Sequence, residues 1–402
     1  MNETLHRLID ANAPCYVYSY ETLTAQAALL HEVFPAYDFL FSVKANPFPA
    51  VVKTLAQCGI GADAASAQEV LLAEKCGMKR EDIYFSAAGK SDAALETALG
   101  HGHIIADSLG EVKRIGALAQ RHGTSLTIGV RLNPAFNMDG GAGTSSKFGI
   151  DEEDLPALKE LLSTLPVSVN GIHVHLRSQN LDYRILGEYY RRCFDLAKRV
   201  KEFLGCRMDY INFGGGVGVA YDLKMESPLD FRKLRTYTDA IAEENARTLK
   251  ARLMIESGRF LTCQMGTYYL KVVDKKTSRG VTYVITENCM NGLQKPAIAV
   301  MLRHAIPQGA IVPQEPMFTA EYAFPITAMG DERETETVNI VGNLCCAQDM
   351  LCEHFTGPRL EVGDLIAVGN AGSYACTLTA QKFSSHIPPR ELLVRADGTV
   401  VE

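Results

Sequence analysis

What this chain lacks narrows its class before any motif is considered. In its 402 residues no apolar run is long enough to span a bilayer, so no membrane role is expected. The opening residues Met1-Asn2-Glu3-Thr4-Leu5-His6 carry neither the basic nor the apolar region of a secretion signal. Positive charge is not in excess. The net charge is −7, which argues against a general nucleic-acid footprint. Eleven cysteines follow no regular spacing, and none is set with histidine as in a zinc site. No metal is therefore expected, and reduced thiols in the cytoplasm are. A dinucleotide fingerprint is missing too: Gly214-Gly215-Gly216 is contiguous, and no clean βαβ unit supplies the usual acidic residue. What remains is 47% hydrophobic and 22% charged, a globular balance with length enough for two domains.

A rhythm of short apolar runs and helical stretches begins near residue 35. Runs ending near Val43, Ala65, Ser86, Asp107, Leu132, His175, Phe213 and Glu256 read as strands, each separated from the next by a helical pattern. Ser66-Ala67-Gln68-Glu69 is a capping box at one helix start. Eight such units over roughly 250 residues predict a (β/α)₈ barrel at 35–265, with an open doubly wound sheet as the alternative. From Gly266 the texture changes to Tyr268–Val273, Val281–Thr286, Thr337–Val341 and Leu365–Val368, strands without intervening helices. An all-β domain at 1–34 and 266–402 is expected, with the early Tyr16–Tyr20 strand as part of it.

In a barrel the chemistry sits at the C-terminal ends of the strands. Those ends here carry Lys44, Asp63, Arg131, His173 with His175, Gly214-Gly215-Gly216, and Glu256 with Gly258 and Arg259. Such a set could bind an anion and a heterocycle while presenting an amine. Lys44 closes the run Phe39-Leu40-Phe41-Ser42-Val43 before a turn at Asn46-Pro47. It either pairs with a carboxylate, as the run alone favours, or is an amine kept for Schiff-base chemistry. The glycines either form a plain turn or let backbone N–H groups approach a phosphate. Glu256 either forms a buried ion pair or holds a ring nitrogen protonated. His173 reads as a satisfied core histidine. Cys345-Cys346 and Gly372-Ser373-Tyr374 could be no more than small core residues and turn chemistry.

Taken in order, these motifs resemble the alanine-racemase-fold pyridoxal-phosphate decarboxylases, the family of diaminopimelate and ornithine decarboxylases. The match runs from Cys15-Tyr16-Val17-Tyr18 to Gly372-Ser373-Tyr374. It includes Val43-Lys44-Ala45-Asn46, Asp63 to Glu69, Arg131-Leu132-Asn133-Pro134, Lys147-Phe148-Gly149-Ile150, Gly171 to His175, the glycine run, Glu256-Ser257-Gly258-Arg259, and Cys345 with Asp349. The resemblance implies a barrel plus a β domain and a head-to-tail homodimer with shared active sites. Lys44 would hold pyridoxal 5′-phosphate covalently, and His175 would stack on its ring. Ser178, Gly214, Gly215, Gly216, Gly258, Arg259 and Tyr374 would surround the cofactor, mostly at its phosphate. Glu256 would pair with the pyridine nitrogen. Cys345 would come from the second subunit to protonate the carbanion left by carbon dioxide, and Asp349 would line the same region.

The departures concern the substrate. Diaminopimelate decarboxylases carry Cys-Glu-Ser where this chain has Cys345-Cys346-Ala347, and Arg-Pro-Ala-Leu-Tyr where it has Lys295-Pro296-Ala297-Ile298-Ala299. The acid for a distal amino group is missing, and Cys346 is not the aspartate of ornithine decarboxylases either. Glu315 or Glu321 could replace it. The usual His-Ile-Gly-Ser becomes His175-Leu176-Arg177-Ser178, which adds a positive charge. Arg177, Lys295, Cys346 and Asp349 are thus the expected substrate-reading residues. These features look like the branch that decarboxylates amino-acid conjugates in siderophore or antibiotic assembly. The alternatives are meso-diaminopimelate decarboxylation, an amino-acid racemase, and a cofactor-free regulatory relative.

Overall fold

The computed structural model describes residues 3–305, 323–329 and 333–402. They form two compact units, one of residues 24–220 with 227–260, the other of the described residues within 1–23, 221–226 and 261–402. Strand β1 (Cys15–Ser19) belongs to the second unit. The first unit is built on β2 (Asp38–Ser42), β3 (Gly61–Ala64), β4 (Ile83–Phe85), β5 (His103–Ala106), β6 (Leu126–Asn133), a two-residue β7 (Ile150–Asp151) beside the end of β6, β8 (Val167–His173), β9 (Tyr210–Asn212) and β10 (Arg252–Ser257). All are parallel. The ring runs from β2 round to β10, which pairs back onto β2, while β5 pairs with β6. The expected barrel is closed.

Local chemistry explains the alternation. Ser66, Ser91, Ser108, Asp182 and Asp230 each stand at a helix N-terminus and accept a backbone N–H of the first turn. Glu69 reciprocates the Ser66 cap, accepting the Ala65 N–H at 2.7 Å. The long helix Tyr183–Leu204 stops at Gly205, whose φ of +67° suits glycine. Inside the barrel Leu40, Tyr84, Ile105, Tyr210 and Met254 pack together. Tyr210 is accommodated because β6 and β8 carry Gly129 and Gly171 opposite it, where a Cβ would collide with its ring. The interior is filled, so ligand chemistry is confined to the rim.

The second unit is a sheet of nine strands. Besides β1 it holds β11 (Gly266–Ser278), β12 (Val281–Glu287), β13 (Ile326–Met329), β14 (Thr335–Gly342), β15 (Met350–Pro358), β16 (Leu365–Val368), β17 (Arg390–Val394) and β18 (Val400–Val401). β1 runs antiparallel to β11 and parallel to β17, so the early strand does join this sheet. The unit is mostly sheet rather than all sheet. Helices Glu3–Asn12 and Gln294–Ala305 belong to it. The second hides in sequence behind Pro296. Its proline falls in the first turn, where a missing N–H costs little.

Candidate active site

Lys44 lies in a single 3-10 turn, Val43–Ala45, directly after β2. Its Nζ donates to Asp63 Oδ2 at 2.8 Å. Asp63 is wholly buried at the end of β3 and also accepts from the hydroxyls of Ser42 and Ser86. Three donors converge on this carboxylate, so it is held in place with its charge matched. The lysine side chain remains 45% exposed. Lys44 is thus paired, as the strand alone suggested, and still accessible to a reactant.

Glu256, 4% exposed near the end of β10, accepts from Asn212 Nδ2 at 2.9 Å and lies 3.0 Å from His173 Nε2 and 3.9 Å from His175 Nδ1. Burial alone would push its pKa up, but His173, then His175 and Lys44, hold it well below the usual carboxylate range. Glu256 is therefore a fixed buried anion. His173 is a core histidine as expected but not a satisfied one: Nε2 faces this glutamate, and neither ring nitrogen makes a hydrogen bond among the described residues.

His175 lies two residues beyond β8. Its Nδ1 accepts the Gly215 N–H at 2.8 Å, which leaves the ring proton on Nε2, 3.4 Å from Ser178 Oγ. Burial lowers its pKa to about 4; Arg131, His173 and Lys44 add to the effect and Glu256 opposes it. At neutral pH the ring is uncharged and able to lie against a heterocycle.

The glycine run is more than a plain turn. Gly214 has φ +67° and Gly216 φ +146°, and a Cβ at Gly214 would collide with the Val174 carbonyl and the His175 side chain. Gly214 N–H donates to Asn212 Oδ1 at 2.9 Å. Asn212 thus holds both Glu256 and the loop. Past β10, Gly258 precedes the short helix Arg259–Thr262, with Arg259 buried at its start. Arg177 is half exposed and engaged by both oxygens of Asp139, at 2.9 and 3.0 Å. Its charge is matched within the barrel unit and is not a spare cation.

The remaining candidates lie in the sheet unit. Cys345 is exposed, with Sγ 3.5 Å from Ser384 Oγ, and Cys346 is half-buried. Asp349 is buried, and each of its oxygens accepts a backbone N–H, from Met290 and from Leu344, both at 2.8 Å. Those bonds give it a job in holding the Cys345 turn. Lys295 is buried in its helix, with Nζ 5.6 Å from the Tyr374 ring centre and 5.9 Å from that of Phe324. Tyr374 sits at φ +50°. Glu315 and Glu321 lie outside the described residues.

Three residues gain their partners at the site only from the structure. Asp63 stands among the strand ends, but nothing in the sequence pairs it with Lys44. Asn212 leaves a faint signal, as an Asx residue just before the glycines. Asp107 ends an apolar run as other strand-end residues do, but it reaches the site only through Arg131. Among the described residues no cluster could hold a metal ion, and no helix is long and apolar enough to cross a membrane.

The model for the pyridoxal binding domain of pyridoxal-dependent decarboxylases matches residues 20–263. The chain belongs to this family of decarboxylases. The decarboxylase is 32% identical over 392 residues to the Niallia circulans enzyme named for decarboxylating an L-glutamyl group on the BtrI acyl-carrier protein, with 95% of this chain and 89% of that one covered. It is 28% identical over 402 residues to the diaminopimelate decarboxylase of Zymomonas mobilis, covering 96% and 89%. Among solved structures, diaminopimelate decarboxylase from Helicobacter pylori complexed with L-lysine matches in fold with a TM-score of 0.82 at 24% identity, covering 99% of this chain and 95% of that one. The cofactor of the decarboxylase is pyridoxal 5′-phosphate. The rim fits that group: an accessible amine, a buried anion, a neutral imidazole and a glycine cradle that side chains would fill.

Proposed function

We propose that this decarboxylase removes the α-carboxylate of an amino-acid conjugate, in a siderophore-like or related secondary pathway, as a cytoplasmic homodimer with shared active sites. One observation carries the substrate reading: Cys346 follows Cys345 where a distal ammonium would need an acid. Losing such a charge-assisted bond costs roughly 1.5–3 kcal/mol, or about one to two decades in specificity. A conjugated side chain has no distal ammonium and loses nothing. Similarity to a relative whose name places its glutamyl group on a carrier protein supports the same reading.

In this scheme Lys44 Nζ would hold the cofactor covalently, and Asp63 would keep the amine in place. Ser178, the Gly214–Gly216 backbone, Gly258, Arg259 and Tyr374 would hold its phosphate. When bound, pyridoxal phosphate supplies an electron sink for the pair left as carbon dioxide departs. Glu256, ionised and pinned by Asn212 and His173, would keep the proton on the ring nitrogen. His175, uncharged, would cover the ring face and exclude water. Cys345 of the second subunit would deliver a proton to Cα, and Asp349 would keep its turn in place. Lys295 would meet an anionic part of the substrate, whereas Arg177 is already engaged by Asp139.

The test is kcat/KM for meso-diaminopimelate, lysine, ornithine, glutamate, and glutamyl or citryl conjugates. A conjugate is expected to lead by at least about tenfold. If meso-diaminopimelate led by a wide margin, the function would be lysine biosynthesis instead.

A further inference from the structure

The chain leaves the barrel sheet at His173, and few bonds hold Val174 and His175 just beyond it. Val174 N–H donates to Asn212 O at 2.9 Å, and Tyr189 Oη donates to Val174 O at 2.8 Å. At His175 the ring is held by the Gly215 N–H, and the carbonyl accepts from Arg131 Nη2 at 3.3 Å. Arg131 stands opposite His173 in the β6–β8 ladder, so its fork reaches past the end of β8. It is 7% exposed, and Phe148 lies under its guanidinium with the ring centre 4.4 Å away.

Behind it is Asp107, just past β5 and 4% exposed. Its Oδ1 is 3.7 Å from Arg131 Nη1 and takes no hydrogen bond from the described residues. That is too long for a hydrogen bond, yet in a buried site the charges act strongly on each other. The other buried cation nearby, Lys90, is bound to Glu111 at 2.5 Å and to the carbonyls of Ile105 and Ala87 at 2.6 and 2.7 Å. Asp107 is left as the counter-charge of Arg131. We propose that Asp107, acting through Arg131, is a positioning residue for the His175 ring. This rests on the reading of His175 as the residue against the cofactor. Without Asp107 the guanidinium loses its counter-charge and leaves the His175 carbonyl. The segment then keeps its bonds at Val174 and at the His175 ring but loses the one at the His175 carbonyl, and the imidazole plane is no longer set.

The experiment uses the full chain loaded with pyridoxal phosphate and reads the circular dichroism of the cofactor's visible band, which reports the asymmetry of its surroundings. Asp107→Asn is expected to keep stoichiometric cofactor, lose most of that signal, and drop kcat by about tenfold to a hundredfold with KM little changed. Because Asp107→Asn leaves a buried charge unbalanced and could fail to fold, two further variants carry the test. Arg131→Lys keeps the charge but loses the fork, and should lose the signal as well. In the double variant Asp107→Asn with Arg131→Gln no charge is unbalanced, and the loss should match that of Arg131→Gln alone. A folded, loaded double variant with wild-type dichroism and kcat would overturn the proposal, whatever its Tm. So would an Asp107→Asn effect as large in the Arg131→Gln background as in the wild type. A wild-type protein with no visible band would instead refute the cofactor reading itself, and this proposal with it.

Discussion

Lys44 and Asp63 illustrate how a reactive group can be held without being spent. The pair neutralises the amine's charge in the cofactor-free protein, and the side chain keeps 45% of its surface. Borohydride reduction followed by peptide mapping should place the pyridoxyl group on Lys44; label on another lysine would move the site elsewhere. His175 carries a signature of its own in the cofactor-free protein. Its folded pKa of about 4 lies below the ordinary histidine value of 6.5. Between those pH values the unfolded chain binds the extra proton and the native one does not, so stability falls as pH drops from about 6.5 to about 4. Thermal melts across that window should show the fall, and His175→Gln should flatten this component of it. Lys44 and Glu256 are legible in the sequence because each ends an apolar run and reaches the rim directly. Asp107 also ends such a run, but its part and that of Asn212 are not legible, since each acts through a neighbour 44 or 24 positions away that only folding brings close: Glu256 for Asn212, Arg131 for Asp107.

Elements of the barrel announce themselves because most of its helices carry a side chain that satisfies their first N–H groups. Ser66, Ser91, Ser108, Asp182 and Asp230 do so, and the alternation is the result. The sheet unit is harder to read. β15 shifts register against β14 about His354, which sits at φ +54°, and β17 comes after two prolines and owes its place to β1, more than 370 residues earlier. Such pairing leaves no local mark. The loop after β9 is sensitive to a single methyl group. Gly214→Ala forces a side chain into left-handed backbone at a cost of about 1–2 kcal/mol, before its collision with Val174 is counted. A titration with pyridoxal phosphate should show affinity weakened by about tenfold or more, with the barrel still folded by far-UV dichroism.

For the whole molecule, the proposed sharing of sites makes a quantitative statement. Lys44→Ala and Cys345→Ala should each be nearly inactive alone. Mixed in equal amounts under conditions of proven subunit exchange, they should recover up to about a quarter of wild-type activity, since half the dimers are hybrid and each hybrid has one intact site. No recovery would assign both residues to one subunit. The threading of β1 between β11 and β17 carries a further consequence, for synthesis on the ribosome. The strand emerges before every strand of the barrel, yet one of its partners does not exist until Val394 has been added. Translation meanwhile delivers every strand of the barrel, which is free to fold on its own schedule. Throughout that interval Cys15–Ser19, an aromatic and β-branched strand, has an open edge, and a chaperone bound to nascent chains would find its clearest target there.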